Sequence, residues 1–356
     1  YNVLKRIKLK HPAAQLIAGA AIATSREKGD GSVSTMLLAA KILDGCKRLL
    51  RKGTHANKII DGLFLAYQKA PDLAGQAAVI DKYDTLQAVE IGIRNALDGK
   101  LLSHDHETIS KLLIQAVRSV GTENLASPDG NDIIDVKKVA GGSLTESQVV
   151  SGIVLKQEIP HERMPRRVEG ARIALVQGEL RIPEKKIHRY QDYSFEFDTP
   201  ETLSNFGSSK KAFLESLATR ILDTDANVVL VQGGIDDFLF EYFADRNVLA
   251  IRRFPPVEFA RVSRALGGTM VPNPELLTAR DLAWADLVEE RRIGKDKLIF
   301  VNGCVAPKTV DVIIRGSNKS ALDDVERVMK GSIKAGVAVA NDPRLVWGGG
   351  AFEQEL

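Results

Sequence analysis

The stretch Gly29-Asp30-Gly31-Ser32-Val33-Ser34-Thr35 is the part of this chain whose residue types and spacing are suited to chemistry. An apolar helical pattern at residues 13–24 runs into it, and another at residues 36–50 runs out of it. Glycines permit backbone angles that other residues resist and leave no side chain in the way of a ligand. A helix start offers free backbone N–H groups and the positive end of the helix dipole, both of which favour a phosphate. Asp30 supplies a hard carboxylate of the kind Mg²⁺ takes, an ion that keeps several waters and bridges to phosphate oxygens. Ser32, Ser34 and Thr35 add hydroxyls. The same residues would also make an ordinary turn with a Ser or Thr N-cap, so by themselves they leave both readings open.

Few other residues compete. Gln232-Gly233-Gly234 follows a strand-like run and precedes a helical one, but it lacks the full Gly-x-Gly-x-x-Gly pattern and a P-loop lysine. Packing of a strand–helix turn is its expected role. The doublet His104-x-His106 has no third histidine or cysteine beside it, so exposed helix-start residues are expected there rather than a metal site. Cys46 and Cys304 are the only cysteines and have no ligand spacing, which points to buried thiols in a reducing cytosol. No nucleophile–base pair supports a small-molecule α/β enzyme.

Composition sets the frame for these residues. A chain of 356 residues with 44% hydrophobic and 27% charged content reads as globular and multidomain. A net charge of +3 is too weak a bias to argue for nucleic acid. No apolar run reaches the ~20 residues that span a bilayer, and no signal-peptide pattern stands at the start. Nucleic-acid and membrane partners are therefore not expected, and a cytoplasmic location is.

The elements that must position the turn are mostly helices. Residues 1–121 read as helical throughout: His11-Pro12 opens one helix, and Thr54 is a plausible N-cap for another. That second helix carries Ile59, Ile60, Leu63, Phe64 and Tyr67 on one face. Further helices are expected at 86–97 and 107–120, the latter with Ile109, Leu112, Leu113, Ala116 and Val117 at core spacing. All these stripes are expected to pack in a core. From Ser127 onward the texture changes to short β-like runs at 133–139 and 149–155. Strand candidates at 173–176, 228–231, 248–252 and 298–301 then alternate with helix candidates at 208–222, 236–244, 257–266 and 279–285, the pattern of an α/β layer domain. A strand at 309–315 and a long helix at 318–340 follow, the helix placing Leu322, Val325, Val328, Met329, Ile333 and Val337 inward.

Taken with its surroundings, Lys28-Gly29-Asp30-Gly31-Ser32-Val33-Ser34 resembles the Gly-Asp-Gly-Thr-Thr nucleotide motif of the group II chaperonins, the thermosome and TCP-1 family. Trp347-Gly348-Gly349-Gly350-Ala351-Phe352-Glu353-Gln354-Glu355-Leu356 resembles that family's Gly-Gly-Gly-Ala-x-Glu-x-Glu-Leu segment. Between them, Ala226-Asn227-Val228-Val229, Gly234-Ile235-Asp236-Asp237 and Ala250-Ile251-Arg252-Arg253 are similar to its apical-domain pattern, and Lys137-Lys138-Val139-Ala140-Gly141-Gly142-Ser143 to its outgoing intermediate strand and turn.

The resemblance implies a multidomain α+β and α/β fold. Residues 1–121 would be the first part of a helical equatorial ATP-binding domain. Residues 122–150 and 307–347 would be the outgoing and returning segments of a small α/β intermediate domain. Residues 151–306 would be an α/β apical substrate-binding domain, and 348–356 a hinge into the second equatorial part. A helical protrusion is expected at 187–218, with Tyr193, Phe195, Phe197, Leu203 and Phe206 as its apolar, client-binding face. The cofactors implied are ATP and Mg²⁺, with Asp30 on the metal, Gly31, Ser32 and Ser34 on phosphates, and Gly348 and Gly349 against the nucleoside. The partners implied are related subunits in a double ring and non-native client proteins.

Three departures bear on activity. The family's returning intermediate helix carries an aspartate that positions the attacking water, and an alignment without gaps between Gly316 and Gly348 puts that position at Gly331. Val33 stands where the family has threonine and lacks the hydroxyl. The chain begins after the family's Leu-Gly-Pro phosphate loop and stops before the second equatorial half, so a fragment of a longer subunit is expected. Two functions follow: an ATP-dependent folding chaperone subunit, or a chaperonin-like binding and scaffold protein that has lost ATP hydrolysis.

Overall fold

A computed structural model describes residues 2–78, 83–98, 100, 103–128, 130–181, 200–304 and 309–355. The chain divides into two units, one of residues 1–138, 143–148 and 314–356, the other of residues 139–142 and 149–313. The division runs through two strands, β1 (Ile134–Ala140) and β9 (Val310–Gly316).

The first unit is built from helices: α1 (Asn2–Arg6), α2 (Pro12–Lys28), α3 (Ser32–Arg51), α4 (Ala56–Ala77), α5 (Thr85–Leu97), α6 (Ser103–Val120), the single turns α7 (Thr122–Leu125) and α8 (Gly130–Ile133), α12 (Lys319–Asn341) and α13 (Ala351–Glu355). Local chemistry sets several starts. Asp84 caps α5 with a reciprocal Gln87 bond, and Asn318 caps α12 through the Ala321 N–H. His11 opens α2 ahead of Pro12, as the sequence implies. The cap of α4 is His55, whose Nδ1 accepts from Asn57 N, and not Thr54. The imidazole satisfies the same orphan donor that a hydroxyl would.

The core of this unit lies where α5, α6 and α12 meet. Ile109, Leu112, Leu113, Ala116 and Val117 of α6 are buried, as their spacing predicts. So are Leu322, Val328, Met329, Ile333 and Val337 of α12. The α12–α5 contact is made close by glycine. A Cβ on Gly336 would stand 3.0 Å from Ile93, leaving room for none of the larger side chains. The α4 stripe behaves otherwise: Ile59 is buried, but Ile60, Leu63, Phe64 and Tyr67 are exposed, because no element among the described residues covers that face.

The second unit holds a mixed sheet. Antiparallel pairing joins β2 (Gln148–Leu155), β8 (Asp296–Cys304), β7 (Ala283–Ile293) and the first part of β3 (Arg167–Val176). The end of β3 pairs in parallel with β4 (Val228–Val231) and β6 (Met270–Val271), and β4 with β5 (Leu249–Arg252). Helices α9 (Pro200–Leu222), α10 (Asp237–Ala244) and α11 (Pro256–Leu266) make the parallel crossovers. β4 and the buried positions of β5 are apolar throughout, as parallel strands covered on both faces must be. Phe243 and Phe259 are fully buried against them. Arg261 pairs with Asp311 in the interior, and the other Asp311 oxygen accepts from the Val154 N–H at 2.7 Å.

One expected helix is a strand. Residues 279–285 have the composition of a helix, but Thr278 N donates to the Asp281 carboxylate at 3.0 Å in a turn, and Ala283 then begins β7. Pairing on both sides, to β3 and β8, outweighs the local propensity. Burial alternates from the first residue: Ala283 and Ala285 face in, Trp284 and Asp286 out. At Gly233 a side chain would run into Glu179 and the Gly178 carbonyl, so this glycine serves the packing of the strand–helix turn. The predicted apolar residues Phe195 and Phe197, with Tyr193, lie outside the described residues, and Leu203 and Phe206 fall in the backbone of α9. Both cysteines are half-buried rather than buried, and burial pushes the Cys304 thiol up to about 11.

Phe243 gives a direct check on the second unit's core. In a Trp347→Phe background Trp284 becomes the only tryptophan and reports on that unit. Phe243→Ala should destabilise it by about 3–5 kcal/mol in urea unfolding. Val257→Ala, at an exposed position, should change it by less than about 0.5 kcal/mol.

Candidate functional site

The turn between α2 and α3 is shaped by two left-handed glycines. Gly29 ends α2 at φ 79°, its N–H donating to Ser25 O at 3.0 Å. Gly31 precedes α3 at φ 86° and provides no side-chain cap. A chain with Cβ atoms at both positions would be strained there. Because Gly31 has no side chain to spend on the first-turn N–H groups, those donors stay available at the positive end of α3. Thr35 Oγ1 donates to Gly31 O at 2.9 Å and so fixes the turn from the helix side. Ser32 is buried, while Val33 is 62% exposed.

Asp30, Ser32 and Gly29 line a cavity of about 690 Å³ with Ser25, Arg26 and Lys100, and α12 closes it with Glu326, Arg327, Val328, Lys330, Gly331 and Lys334. That volume is in the range of small-molecule sites. Other cavities lie at the β7–β8 turn, on the α5–α6 surface and around Gly233, and none of them contains the predicted turn. Of the sequence candidates, Asp30, Ser32 and Gly331 come together here. Gly31 and Ser34 sit beside them on the same turn. Gly348 and Gly349 form an exposed turn before α13 and do not line the cavity.

Both carboxylates of the cavity are paired. Lys100 Nζ lies 3.0 Å from the Asp30 carboxylate. Lys330 Nζ lies 2.9 Å from Glu326, whose other oxygen is 2.6 Å from Lys138. Lys138 also meets Asp323 at 2.6 Å, which ties β1 to α12. Burial pushes the Glu326 carboxyl up, but hydrogen bonds from Lys138 and Lys330 outweigh it and hold it below its ordinary value. The Lys138 hydrogen bond holds Asp323 low, and Asp323 and Glu326 together hold Lys138 high. Lys100, Lys334 and Glu326 were not legible as site residues. They lie 70 or more positions from the turn in sequence, with no motif to mark them.

The closest approach in the site is between backbones. A Cβ on Gly29 would overlap the Gly331 carbonyl, and a Cβ on Gly331 would stand 2.9 Å from Gly29 O. Lys334 Nζ donates to Arg26 O at 2.9 Å one turn further along α12. Gly331 thus lies directly over the turn.

Among the described residues no group of three or more metal-ligating side chains exists, so the site could not hold a metal on protein groups alone. It suits Mg²⁺ bound with a nucleotide, where one carboxylate is enough and phosphates and waters complete the shell. Asp30 could supply that carboxylate, and the glycine-shaped turn with first-turn N–H groups that no side chain caps is of a kind that suits phosphates. At His106, Nε2 lies 2.9 Å from the Asp98 carboxylate.

A helical unit with a Gly-Asp-Gly turn under a returning helix, joined by two strands to an inserted mixed α/β unit, is a chaperonin arrangement. The sequence profile of the TCP-1/cpn60 chaperonin family matches residues 1–356, and the chain belongs to that family. It is 33% identical over 360 residues to a thermosome subunit of Pyrococcus horikoshii, covering 100% of this chain and 64% of the relative. It is 34% identical over 366 residues to thermosome subunit alpha of Sulfolobus acidocaldarius, covering 100% of this chain and 65% of that one. The chain thus spans about two-thirds of the length of these relatives. Its fold is similar to the open-state monomer of a group II chaperonin from Methanococcoides burtonii, with a TM-score of 0.66 and 26% identity over 92% of this chain and 74% of that one. Among the described residues no helix is long and apolar enough to cross a membrane.

The Lys138 cluster predicts a pH dependence. Carboxylates held low contribute stability that is present above their unfolded values, 3.8 for Asp323 and 4.5 for Glu326, and lost as pH falls through the lower folded values. Lys138, held above 10.5, keeps its charge through the whole neutral range. Wild type should therefore resist urea better than Lys138→Met at pH 7, and the difference should shrink below about pH 4. A difference independent of pH would show that the cluster adds packing but no charge pairing.

Proposed function

We propose that the protein acts as a cytoplasmic chaperonin subunit that binds ATP with Mg²⁺ on the α2–α3 turn. It would bind non-native polypeptides on its second unit and work within a ring of related subunits. The observation that carries the reading is the turn itself: two left-handed glycines, a carboxylate and an uncapped helix start at the mouth of a cavity of about 690 Å³. Asp30 would hold the metal, Gly31, Ser32 and Ser34 the phosphates, and Gly348 and Gly349 the nucleoside. Bound Mg²⁺ would neutralise phosphate charge. The residues around it would orient the triphosphate, with Lys100 moving from Asp30 to a phosphate as the metal takes the carboxylate. Phe195, Phe197, Leu203 and Phe206 would present the client-binding face, and residues 122–150 and 307–347 would serve as the intermediate domain.

A second reading, in which the subunit holds nucleotide but hydrolyses it poorly, is favoured by Gly331. An attacking water needs an in-line acceptor, and the two carboxylates lining the cavity are both engaged: Asp30 with Lys100, Glu326 with Lys138 and Lys330. Loss of a positioning or general-base group costs about 10²–10⁴-fold in rate.

Calorimetry with ATP and Mg²⁺ on the full-length protein should show binding that Asp30→Ala abolishes. Phosphate release should run about 10²–10⁴-fold below that of a thermosome subunit in a matched oligomeric state. Binding with relative-like turnover would remove the second reading and leave the first.

A further inference from the structure

We propose that the cavity at the carboxyl ends of β3, β4 and β5 in the second unit is an oxyanion site, which takes a carboxylate or phosphate group on arginine. The proposal goes beyond the nucleotide reading and does not rest on it. The carboxyl ends of parallel strands are where open α/β sheets carry their ligand loops. Three arginines meet there from two segments: Arg181 after β3, and Arg252 and Arg253 at the end of β5. The cavity has a volume of about 390 Å³, within the range of small-molecule sites. Among the described residues Glu179 is the one acid of its lining, against three guanidinium groups. A cleft lined mainly by one sign of charge concentrates the opposite ion.

The three arginines are held differently. Arg252 is fixed in place: its Nη1 donates to Ile235 O at 3.0 Å and lies 3.4 Å from Asp237, and its guanidinium sits 4.5 Å from the centre of the Phe240 ring. Arg181 Nη2 lies 2.8 Å from a Glu179 oxygen, an exposed pair of the kind that contributes little and yields to another anion. Arg253 is the unusual one. Its backbone is left-handed at φ 66°, and the other non-glycine residues of that kind among the described ones are Asp225 and Asn247, types that tolerate it. An arginine there is strained, and such strain clusters at functional positions. The turn maintains it, with Arg253 N donating to Gly233 O at 3.0 Å and Phe254 N to Gln232 O at 3.1 Å. Successive residues of an extended strand point to opposite faces. The left-handed residue breaks that alternation, and consecutive arginines line one cavity. A guanidinium takes a carboxylate or phosphate through two parallel N–H donors.

Two probes on the full-length protein test the site: a fluorescein-labelled oligoglutamate peptide followed by anisotropy, and inorganic phosphate followed by calorimetry. Whichever probe wild type binds, Arg181→Gln/Arg253→Gln should bind it at least about tenfold more weakly. Arg292→Gln/Lys295→Gln removes the same charge from the β7–β8 turn and should change affinity by less than about twofold. Arg253→Gly removes the strain together with the guanidinium. It should unfold at no lower urea concentration than wild type and still bind more weakly, so lost folding cannot account for lost binding. Phosphate that binds and displaces the peptide identifies a free anion as sufficient. Peptide binding that phosphate does not displace identifies the carboxylates of a polypeptide. Binding of neither probe would overturn the proposal. So would equal affinity in wild type and Arg181→Gln/Arg253→Gln, or an equal loss in Arg292→Gln/Lys295→Gln.

Discussion

The approach of the Gly29 and Gly331 backbones is the constraint on which the first unit's site depends. Two segments far apart in sequence come so near here that a Cβ on Gly29 would overlap the Gly331 carbonyl, and one on Gly331 would stand 2.9 Å from Gly29 O. The contact fixes which face of α12 looks onto the turn, and so which side chains border the cavity. Lys330 and Lys334 border it because they flank Gly331 along the helix. The position of α12 is not set by the turn alone. Its buried face packs on α5 and α6, and small residues at Gly336 and Gly92 set that distance. Turn, helix and core are one packing problem, solved with glycine at each close approach.

Electrostatics follows from this packing. Lys330 and Gly331 are the residues of α12 over the turn, and the local balance of charge is positive. Lys100, Lys330 and Lys334 outnumber the carboxylates of Asp30 and Glu326 among the residues that line the cavity with them. A cavity so lined attracts phosphate oxygens and is poor at accepting a proton from water. Affinity for a polyanion and competence to hydrolyse it are separate properties, and a lining of this kind bears on each differently.

Much of this was legible in the sequence. The turn declares itself because its glycines, carboxylate and hydroxyls are contiguous, and the apolar periods of α6 and α12 give the buried faces, with Val325 of the expected set only half-buried. The parallel strands β4 and β5 read as unbroken apolar runs. What could not be read depends on long-range pairing. Residues 283–285 are Ala-Trp-Ala, which locally favours a helix as much as a strand, and only β3 and β8 on either side decide it. Lys100 and Lys334 carry no local mark of their partners. The place of Gly331 was not legible: its contact with Gly29 is a property of the folded chain.

The exposed faces of α3 and α4 take the same lesson further. Their apolar stripes obey the helical period, and that period predicts which side is buried without saying what buries it. In α3 only Ser32 is buried and in α4 only Ile59, while Leu37, Leu38, Ile42, Leu43, Phe64 and Tyr67 are exposed. Helices of this length draw most of their stability from packing an apolar face rather than from propensity. A contiguous apolar surface of this kind marks an interface. These two helices join the turn to the rest of the first unit, since α3 begins at Ser32 beside Asp30. Whatever covers their apolar faces therefore also bears on how firmly the N-terminal end of α3, with its free N–H groups, is held against a phosphate.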